Sequence, residues 1–450
     1  MTLKKQTKDV TVSFIALGCP KNIVDSERML AEIAQAGFLI THQLKDADVV
    51  VINTCGFINP ARKEALEEIK QALEYKNNPK HRLKKIIVAG CLPQRYKEKL
   101  FYDSDGIDAI VGLADRDNIA LIIEQTLVSE DRNCYLQECN DFISDDRARL
   151  KITPTHYAYL RISQGCSKNC SFCTIPAIRG PFRSKPSELV LAEAAELAES
   201  GAAEINVIAQ DTTYYGKDLK INNGLSTLLK EIEAIDGVKW LRTLYLYPMG
   251  INERLIETIA QSDKILPYFD IPIQHINNKI LKSMHRPDTR EQIRYLIENI
   301  RSMIPGCVLR TTLIAGFPGE TDEQFEELLE FIEWAKFDAL GCFPFYPEEN
   351  TEAAQMPNHL PENIKQKRMG KIMLTQQKIA FDKNKKRIGT ELICLIDSVD
   401  ADNITLARFF GQAPDIDSIC IIKNCSARPG SFVNTKVVDT KDYDLIVKQI

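Results

Sequence analysis

Residues 161–180 read RISQGCSKNCSFCTIPAIRG. Cys166, Cys170 and Cys173 stand there in a C-x3-C-x2-C pattern, directly after an apolar run, Tyr157–Ser163, that reads as a strand. Three thiolates on one tight loop can hold three irons of a cubane iron–sulfur cluster. An iron–sulfur electron carrier normally supplies four cysteines, so a set of three leaves one iron open to a substrate or cofactor. The bland alternatives are a zinc site or coincidence. Phe172 inside the motif and the strand before it favour the cluster.

Five further strand candidates follow: Glu204–Gln210, Trp240–Pro248, Tyr268–Gln274, Val308–Gly316 and Ala339–Tyr346. Helical segments separate them. The clearest begins at Thr321, an N-cap whose capping box is completed by Gln324. Phe325, Leu328, Leu329 and Ile332 then recur at helical spacing and predict one buried stripe. Six β/α units in about 190 residues predict a barrel or partial barrel, a fold that carries its chemistry on the loops after the strands.

Upstream, residues 10–130 also alternate strand and helix. Val12–Leu17, Asp48–Asn53 (DVVVIN), Lys85–Gly90 and Ile107–Val111 are the strand candidates. Continuous Val/Ile runs between helices predict a parallel sheet buried on both faces. Residues 131–151 are polar and charged, ending in SDDRARLK, and read as a linker. Downstream, the basic run Lys383–Arg387 breaks the pattern. Five short β-rich segments follow, at Glu391–Ile396, Asn403–Ala407, Ser418–Ile422, Ser431–Val438 and Tyr443–Val447, and fit a small antiparallel barrel. The expected organisation is therefore 10–130, a linker 131–151, a core 152–383 and a barrel 384–450.

The bulk numbers agree. A chain of 450 residues is long enough for several domains. It is 44% hydrophobic and 26% charged, a globular composition. No apolar run approaches the ~18 residues of a membrane span, and the N-terminus MTLKKQTKDV lacks the apolar stretch of a secretory signal. The cytoplasm is the expected compartment. A net charge of −5 argues against a globally basic nucleic-acid binder. Thirteen cysteines is a high count, and in a reducing compartment it points to metal binding or catalysis before disulfides.

Three of those cysteines occupy equivalent places. Cys19 (LGCPKN), Cys55 (NTCGF) and Cys91 (AGCLPQ) each follow a strand candidate of the N-terminal sheet and precede a helix. Parallel strands end on one edge, so three side chains can converge in the crevice beyond it. Helix N-termini aimed there favour thiolate. Singly, each is more often a core cysteine; together they predict a second three-cysteine site.

The C-x3-C-x2-C loop in its barrel context resembles the radical S-adenosylmethionine (SAM) superfamily. There the open iron binds SAM, and an electron from the cluster cleaves it to a 5′-deoxyadenosyl radical that abstracts hydrogen from substrate. Two three-cysteine sites and a terminal β-barrel together resemble the radical SAM methylthiotransferases over nearly the whole chain: an N-terminal methylthiotransferase domain, a radical SAM core and a TRAM barrel. The resemblance implies two 4Fe-4S clusters, one held by Cys166, Cys170 and Cys173 and an auxiliary one held by Cys19, Cys55 and Cys91, with SAM as radical source and methyl donor. Cys-Pro-Lys-Asn at residues 19–22, Val24-Asp25-Ser26-Glu27, LYLYP (244–248), DIPIQH (270–275), GFPGET (316–321) and APDIDS (413–418) resemble the RimO branch. In that branch the target is the β-carbon of an aspartate in the twelfth small-subunit ribosomal protein. An electron donor and a sulfur source are then needed as partners.

Charge bears on the branch. From Asn384 to Ile450 there are nine Lys/Arg and nine Asp/Glu, net zero. A tRNA-binding barrel should show a basic excess. Asp415 and Asp417 read instead as an acidic patch suited to a cationic ribosomal protein, and the tail as a docking module that both clusters can do without. Gln210 and Gly316 follow core strands, where superfamily members contact SAM; the glycine can equally serve a turn. Arg179, Arg183 and Lys185 are candidates for contact with an acidic group. His275 reads as structural or solvated. Cys134, Cys139, Cys307, Cys342, Cys394, Cys420 and Cys425 form no ligand-like constellation and read as core or incidental. Rival readings are a tRNA adenosine methylthiotransferase, a non-catalytic two-cluster electron carrier and a zinc-bearing RNA-binding protein.

Overall fold

The structure, a computed structural model, describes residues 10–139, 145–400, 404–423 and 425–450. The polar N-terminus (1–9), the middle of the expected linker (140–144) and the first residue of the strand expected at Asn403–Ala407 lie outside them. In chain order the strands are β1 (Thr11–Ala16), β2 (Leu39–Thr41), β3 (Val49–Thr54), β4 (Lys85–Gly90), β5 (Ala109–Val111), β6 (Asn133–Tyr135) and β7 (Tyr157–Arg161). A short pair follows, β8 (Ser163–Gln164) and β9 (Arg183–Ser184), then β10 (Glu204–Ile208), β11 (Trp240–Thr243), β12 (Ile265–Asp270), β13 (Val308–Ala315) and β14 (Ala339–Pro344). The last five are β15 (Glu391–Val399), β16 (Ile404–Phe409), β17 (Cys420–Lys423), β18 (Phe432–Lys441) and β19 (Asp444–Gln449). No helix among the described residues is long and apolar enough to cross a membrane.

The chain divides into two compact units: residues 1–152, 163–168 and 173–189, and residues 153–162, 169–172 and 190–450. In the first, six parallel strands run in the order β2-β1-β3-β4-β5-β6. The unbroken Val/Ile runs have the expected cause. Val49 and Val51 enter one buried cluster with Ile87, while Val50 and Ile52 enter another with Ile86 and Val88, so both faces of the sheet are covered. The edge strands β2 and β6 escape sequence reading. Each is only three residues long, and Leu39 and Ile40 of β2 are exposed, so neither carries a burial pattern.

The linker reading of 131–151 is corrected here. Asn133–Tyr135 is the sixth strand of the sheet. Farther on, the Asp146 side chain is fully buried between Arg116 (2.7 Å) and Lys185 (2.5 Å). Arg149 pairs with Glu27 at 3.2 Å, and the Ile152 N–H donates to Glu27 at 3.1 Å. Charged residues look solvent-facing in a sequence; these find buried partners far along the chain.

The second unit holds the open six-stranded parallel sheet β7-β10-β11-β12-β13-β14, whose neighbours follow chain order as in part of a β/α barrel. Its large core lies between strands and helices, and Phe325, Leu328 and Ile332 of the helix Asp322–Ala335 sit in it. That helix opens with the expected Thr321–Gln324 capping box. The basic run 383–387 does not break the helical pattern. It closes a 26-residue helix, Glu362–Arg387, whose last turn carries Lys385, Lys386 and Arg387, where the helix dipole favours cations. After it, β15-β16-β17-β19-β18 close into a barrel, antiparallel except for the parallel β17–β19 pair. Cys394, Cys420 and Cys425 are in its core, and Cys307 is in the core of the central sheet.

Within this unit the barrel docks on the N-terminal parts of the central strands through buried polar contacts. Arg408 meets Glu204 at 2.6 Å, Arg242 donates to the Phe410 carbonyl at 2.7 Å, and His156 lies 2.8 Å from Asp397. The acidic patch expected at Asp415 and Asp417 is part of this contact. Asp415 accepts from the hydroxyls of Tyr157 (3.1 Å) and Tyr159 (2.9 Å). Asp417, its side chain 4% exposed, accepts from the Tyr268 hydroxyl at 2.6 Å and faces Arg310 at 3.4 Å. Asp417 is thereby held with its side chain buried, while Asp415 stays exposed at the edge of the contact.

Candidate iron–sulfur and SAM sites

The geometry of the N-terminal site follows from strand register. β1, β3 and β4 are neighbours, and Thr54 stands opposite Gly90, so Cys55 and Cys91 leave the sheet at the same level. Neighbouring strands lie about 4.8 Å apart, which sets three adjacent strand tips within about 10 Å. Cys19 comes two residues past Leu17, after a turn at Gly18. That glycine has φ +97°, and a Cβ on it would sit 2.7 Å from the Cys55 Cβ, so the approach of the first loop to the second requires glycine. Cys19 is the N-cap of the helix Pro20–Gln35, with proline in its first turn, and Cys91 opens the helix Cys91–Tyr96. Cys55 differs, because its helix, Asn59–Lys76, starts four residues later.

The three thiols sense one another. Burial, reinforced by Cys91 and Cys19, pushes the Cys55 thiol up to about 12. Burial also raises Cys91. Burial acts the same way on Cys19, but Lys21, Arg179 and the backbone N–H groups of Asn22 and Lys21 outweigh it and hold that thiol below its ordinary value. Arg179, 1% exposed, donates to the Cys91 sulfur at 3.3 Å, to Asn22 at 2.6 Å and to Asp25 at 3.2 Å. Among the described residues no three His, Cys, Asp or Glu side chains close on a single metal ion. A cubane asks for something else, since each thiolate takes a different iron. The donor set, three converging thiols with a buried cation beside them, fits such a cluster.

Cys166, Cys170 and Cys173 are all half-buried on one loop, between β8 and the short helix Ile175–Arg179. In the first unit the Cys166 N–H donates to the Gly180 carbonyl at 3.1 Å, and the Phe182 N–H donates to the Ser167 hydroxyl at 3.0 Å. In the second, the Ser171 N–H donates to the Met284 carbonyl at 3.1 Å, and its hydroxyl donates to the Ser283 carbonyl at 2.7 Å.

Profiles of three known families match successive parts of the chain: the uncharacterized protein family UPF0004 over residues 11–112, the radical SAM superfamily over 160–332 and the TRAM domain over 388–450. The ribosomal protein uS12 methylthiotransferase RimO of Geobacter sulfurreducens is 44% identical over 437 residues, covering 97% of each chain. That of Clostridioides difficile is 43% identical, covering 97% of this chain and 98% of its own. The chain belongs to the RimO methylthiotransferase family. Its fold is also similar to that of the radical S-adenosylmethionine methyltransferase TsrM from Kitasatospora setae, with a TM-score of 0.53 at 13% identity over 74% of this chain and 72% of that one.

In this RimO-family chain Gln210 lies just past β10, and its buried Oε1 has no partner. Asn206 Oδ1 and Thr243 Oγ1, on β10 and β11, are likewise buried without partners. Sequence reading passed over these two, since nothing in a strand pattern distinguishes an orphaned polar atom from a paired one. Gln210, just past β10, and Thr243, the last residue of β11, place such oxygens at the carboxyl ends of strands, where they fit a donor-rich ligand such as SAM. Tyr245 and Gln274, in the LYLYP and DIPIQH motifs, hold left-handed backbone at φ +61° and +67°, a strain that concentrates at functional loops.

Gly316 occupies a tight left-handed turn. Its φ is +74°, a Cβ would meet the Lys365 side chain at 2.4 Å, and its N–H donates to Glu320 at 3.0 Å. That geometry serves the turn. His275 is fully buried, its Nδ1 accepting from the Asn277 N–H at 3.0 Å and its Nε2 3.4 Å from Glu320, a structural role. Arg179 and Lys185 do meet acidic groups, Asp25 and Asp146 of the chain itself. Cys139, read as incidental, packs with Cys91, Leu113 and Ile178, and burial pushes its thiol up to about 11.

Proposed function

We infer that this RimO-family chain is the enzyme that adds a methylthio group to the β-carbon of an aspartate in ribosomal protein uS12. The observation that carries the reading is the convergence of Cys19, Cys55 and Cys91 at one sheet edge beside Arg179. Hydrogen abstraction needs one three-cysteine loop; insertion of sulfur gives a reason for a second set. Cys166, Cys170 and Cys173 would hold the 4Fe-4S cluster that engages SAM, and Cys19, Cys55 and Cys91 an auxiliary one. When bound, these clusters and SAM supply the radical and sulfur-transfer chemistry that no side chain can. The chain's share is to place thiolates, exclude water and offer acceptors such as Gln210 Oε1 to the cofactor. Gly316 shapes the neighbouring turn.

We assign sulfur delivery to residues 10–130, radical chemistry to 152–383 and the barrel to 384–450. The partners are the small-subunit ribosomal protein, an electron donor and a sulfur source, in the cytoplasm. The tail's nine positive and nine negative charges support weak tRNA affinity, because little counterion release is available.

The test is an anaerobic assay with SAM, a low-potential reductant, sulfide, ribosomal small subunits and tRNA. The reconstituted protein should carry about eight irons. Mass spectrometry should find one methylthio group on the uS12 aspartate and none on tRNA. Replacing Cys19, Cys55 and Cys91 with Ala should remove about half of the iron and all methylthiolation while SAM cleavage continues. Full iron in that variant would refute the auxiliary site, and methylthiolated tRNA adenosine with unmodified uS12 would refute the substrate.

A further inference from the structure

Arg179 closes the short helix that follows the C-x3-C-x2-C loop, yet its guanidinium ends at the N-terminal cysteines. Its Nη2 lies 3.3 Å from the Cys91 sulfur, 2.6 Å from Asn22 Oδ1 and 3.2 Å from Asp25 Oδ2, while Nη1 lies 3.4 Å from Gln164 Oε1. The acids around it have other partners. Asp25 is also held by Arg116 at 2.8 Å, Arg116 by Asp146 at 2.7 Å, and Asp146 by Lys185 at 2.5 Å. Asp117, 37% exposed, touches Arg116 as well and is shared with Arg28. Arg116, Arg179 and Lys185 thus alternate with Asp25 and Asp146 in one fully buried chain of ion pairs. Outside that chain Arg179 faces the Cys91 sulfur and the neutral side-chain oxygens of Asn22 and Gln164.

A cation donating to a cluster's ligand sulfur stabilises the more negative, reduced state and raises the reduction potential. We propose that Arg179 is a positioning residue of the auxiliary cluster, which orients Cys91 and holds that cluster's reduction potential up through an N–H···S bond. This rests on the assignment of Cys19, Cys55 and Cys91 as cluster ligands. It places a potential-setting residue for one cluster six residues after the last cysteine of the other. A merely structural Arg179 would anchor Asp25 and leave the cluster's electronic properties alone.

The experiment uses full-length protein in which Cys166, Cys170 and Cys173 are Ala, so that only the N-terminal site can load. About four irons are expected, and their absence would refute the site itself. With 15N-labelled arginine, pulsed EPR of the reduced cluster should detect a 15N coupling that Arg179→Lys abolishes. A redox titration of Arg179→Met should give a midpoint moved to lower potential at unchanged iron, with Arg179→Lys in between. A loaded cluster without arginine coupling, or an unmoved midpoint in Arg179→Met, would overturn the proposal. Should Arg179→Met fail to fold, the 15N coupling in protein with Arg179 intact decides the question.

Discussion

At the scale of single residues, the polar motif Asp25-Ser26-Glu27 behaves as core. Asp25 is bound by Arg116 and Arg179, Ser26 accepts from the Asn53 side-chain amide at 2.8 Å, and Glu27 is held by Arg149. Removing Arg116 takes a charged hydrogen-bond donor from Asp25 and Asp146 together, a loss of about 1–3 kcal/mol. Arg116→Met, with Arg116 only 2% exposed, is therefore expected to lower unfolding free energy by that much in urea titrations. Arg116→Lys should lose less. The Arg147–Asp145 pair, 50% and 47% exposed, sets the contrast: Arg147→Ala should change stability by under about 1 kcal/mol. Equal losses in Arg116→Met and Arg147→Ala would contradict the buried network.

At the scale of elements, the barrel's grip on the central strands is acid-sensitive. Burial pushes the Asp397 carboxyl up, but hydrogen bonds from His156 and Arg408 outweigh it and hold the group below the ordinary carboxylate range. A carboxylate with a depressed folded value adds stability above its unfolded value of about 3.9 and loses it as pH falls through the folded one. The parent protein should be more stable than Asp397→Asn near neutral pH. The gap should close below about pH 4, read as converging urea midpoints. A gap independent of pH would mean that Asp397 acts by packing alone. Elements were also the most legible scale in the sequence. The six central strands, the capping box at Thr321 and the five-stranded barrel follow from local periodicity and turn chemistry. The edge strands β2 and β6 did not, because three residues at a sheet margin leave no period to read.

For the whole molecule, the docking surface predicts the effect of truncation. Deleting residues 388–450 would uncover Arg242 and Glu204, whose side chains are fully buried, and leave the hydroxyls of Tyr157, Tyr159 and Tyr268 without their carboxylates. Uncovered buried charges and lost partners destabilise. The truncated protein should melt at lower temperature than the full chain, or aggregate, in calorimetry, before any question of substrate recognition arises. An unchanged melting temperature would restore the view of the tail as a separable module.

The sequence by itself determined the layered α/β architecture, the C-x3-C-x2-C loop and the equivalence of Cys19, Cys55 and Cys91. Each of these depends on spacing along the chain, and parallel strands turn equal spacing into a shared edge. Tertiary structure alone decided the fate of the charges. Asp417 read as surface and is buried against Tyr268 and Arg310 of the central strands; the charged run ending in Lys151 read as linker and supplies buried partners to Arg116 and Glu27. Arg179 could be matched to an acidic group from sequence, but its reach to the Cys91 sulfur could not. A charge is stabilised by whichever counter-charge folding brings within about 3 Å, and for these pairs that partner lies tens to hundreds of residues away, where no local pattern records it.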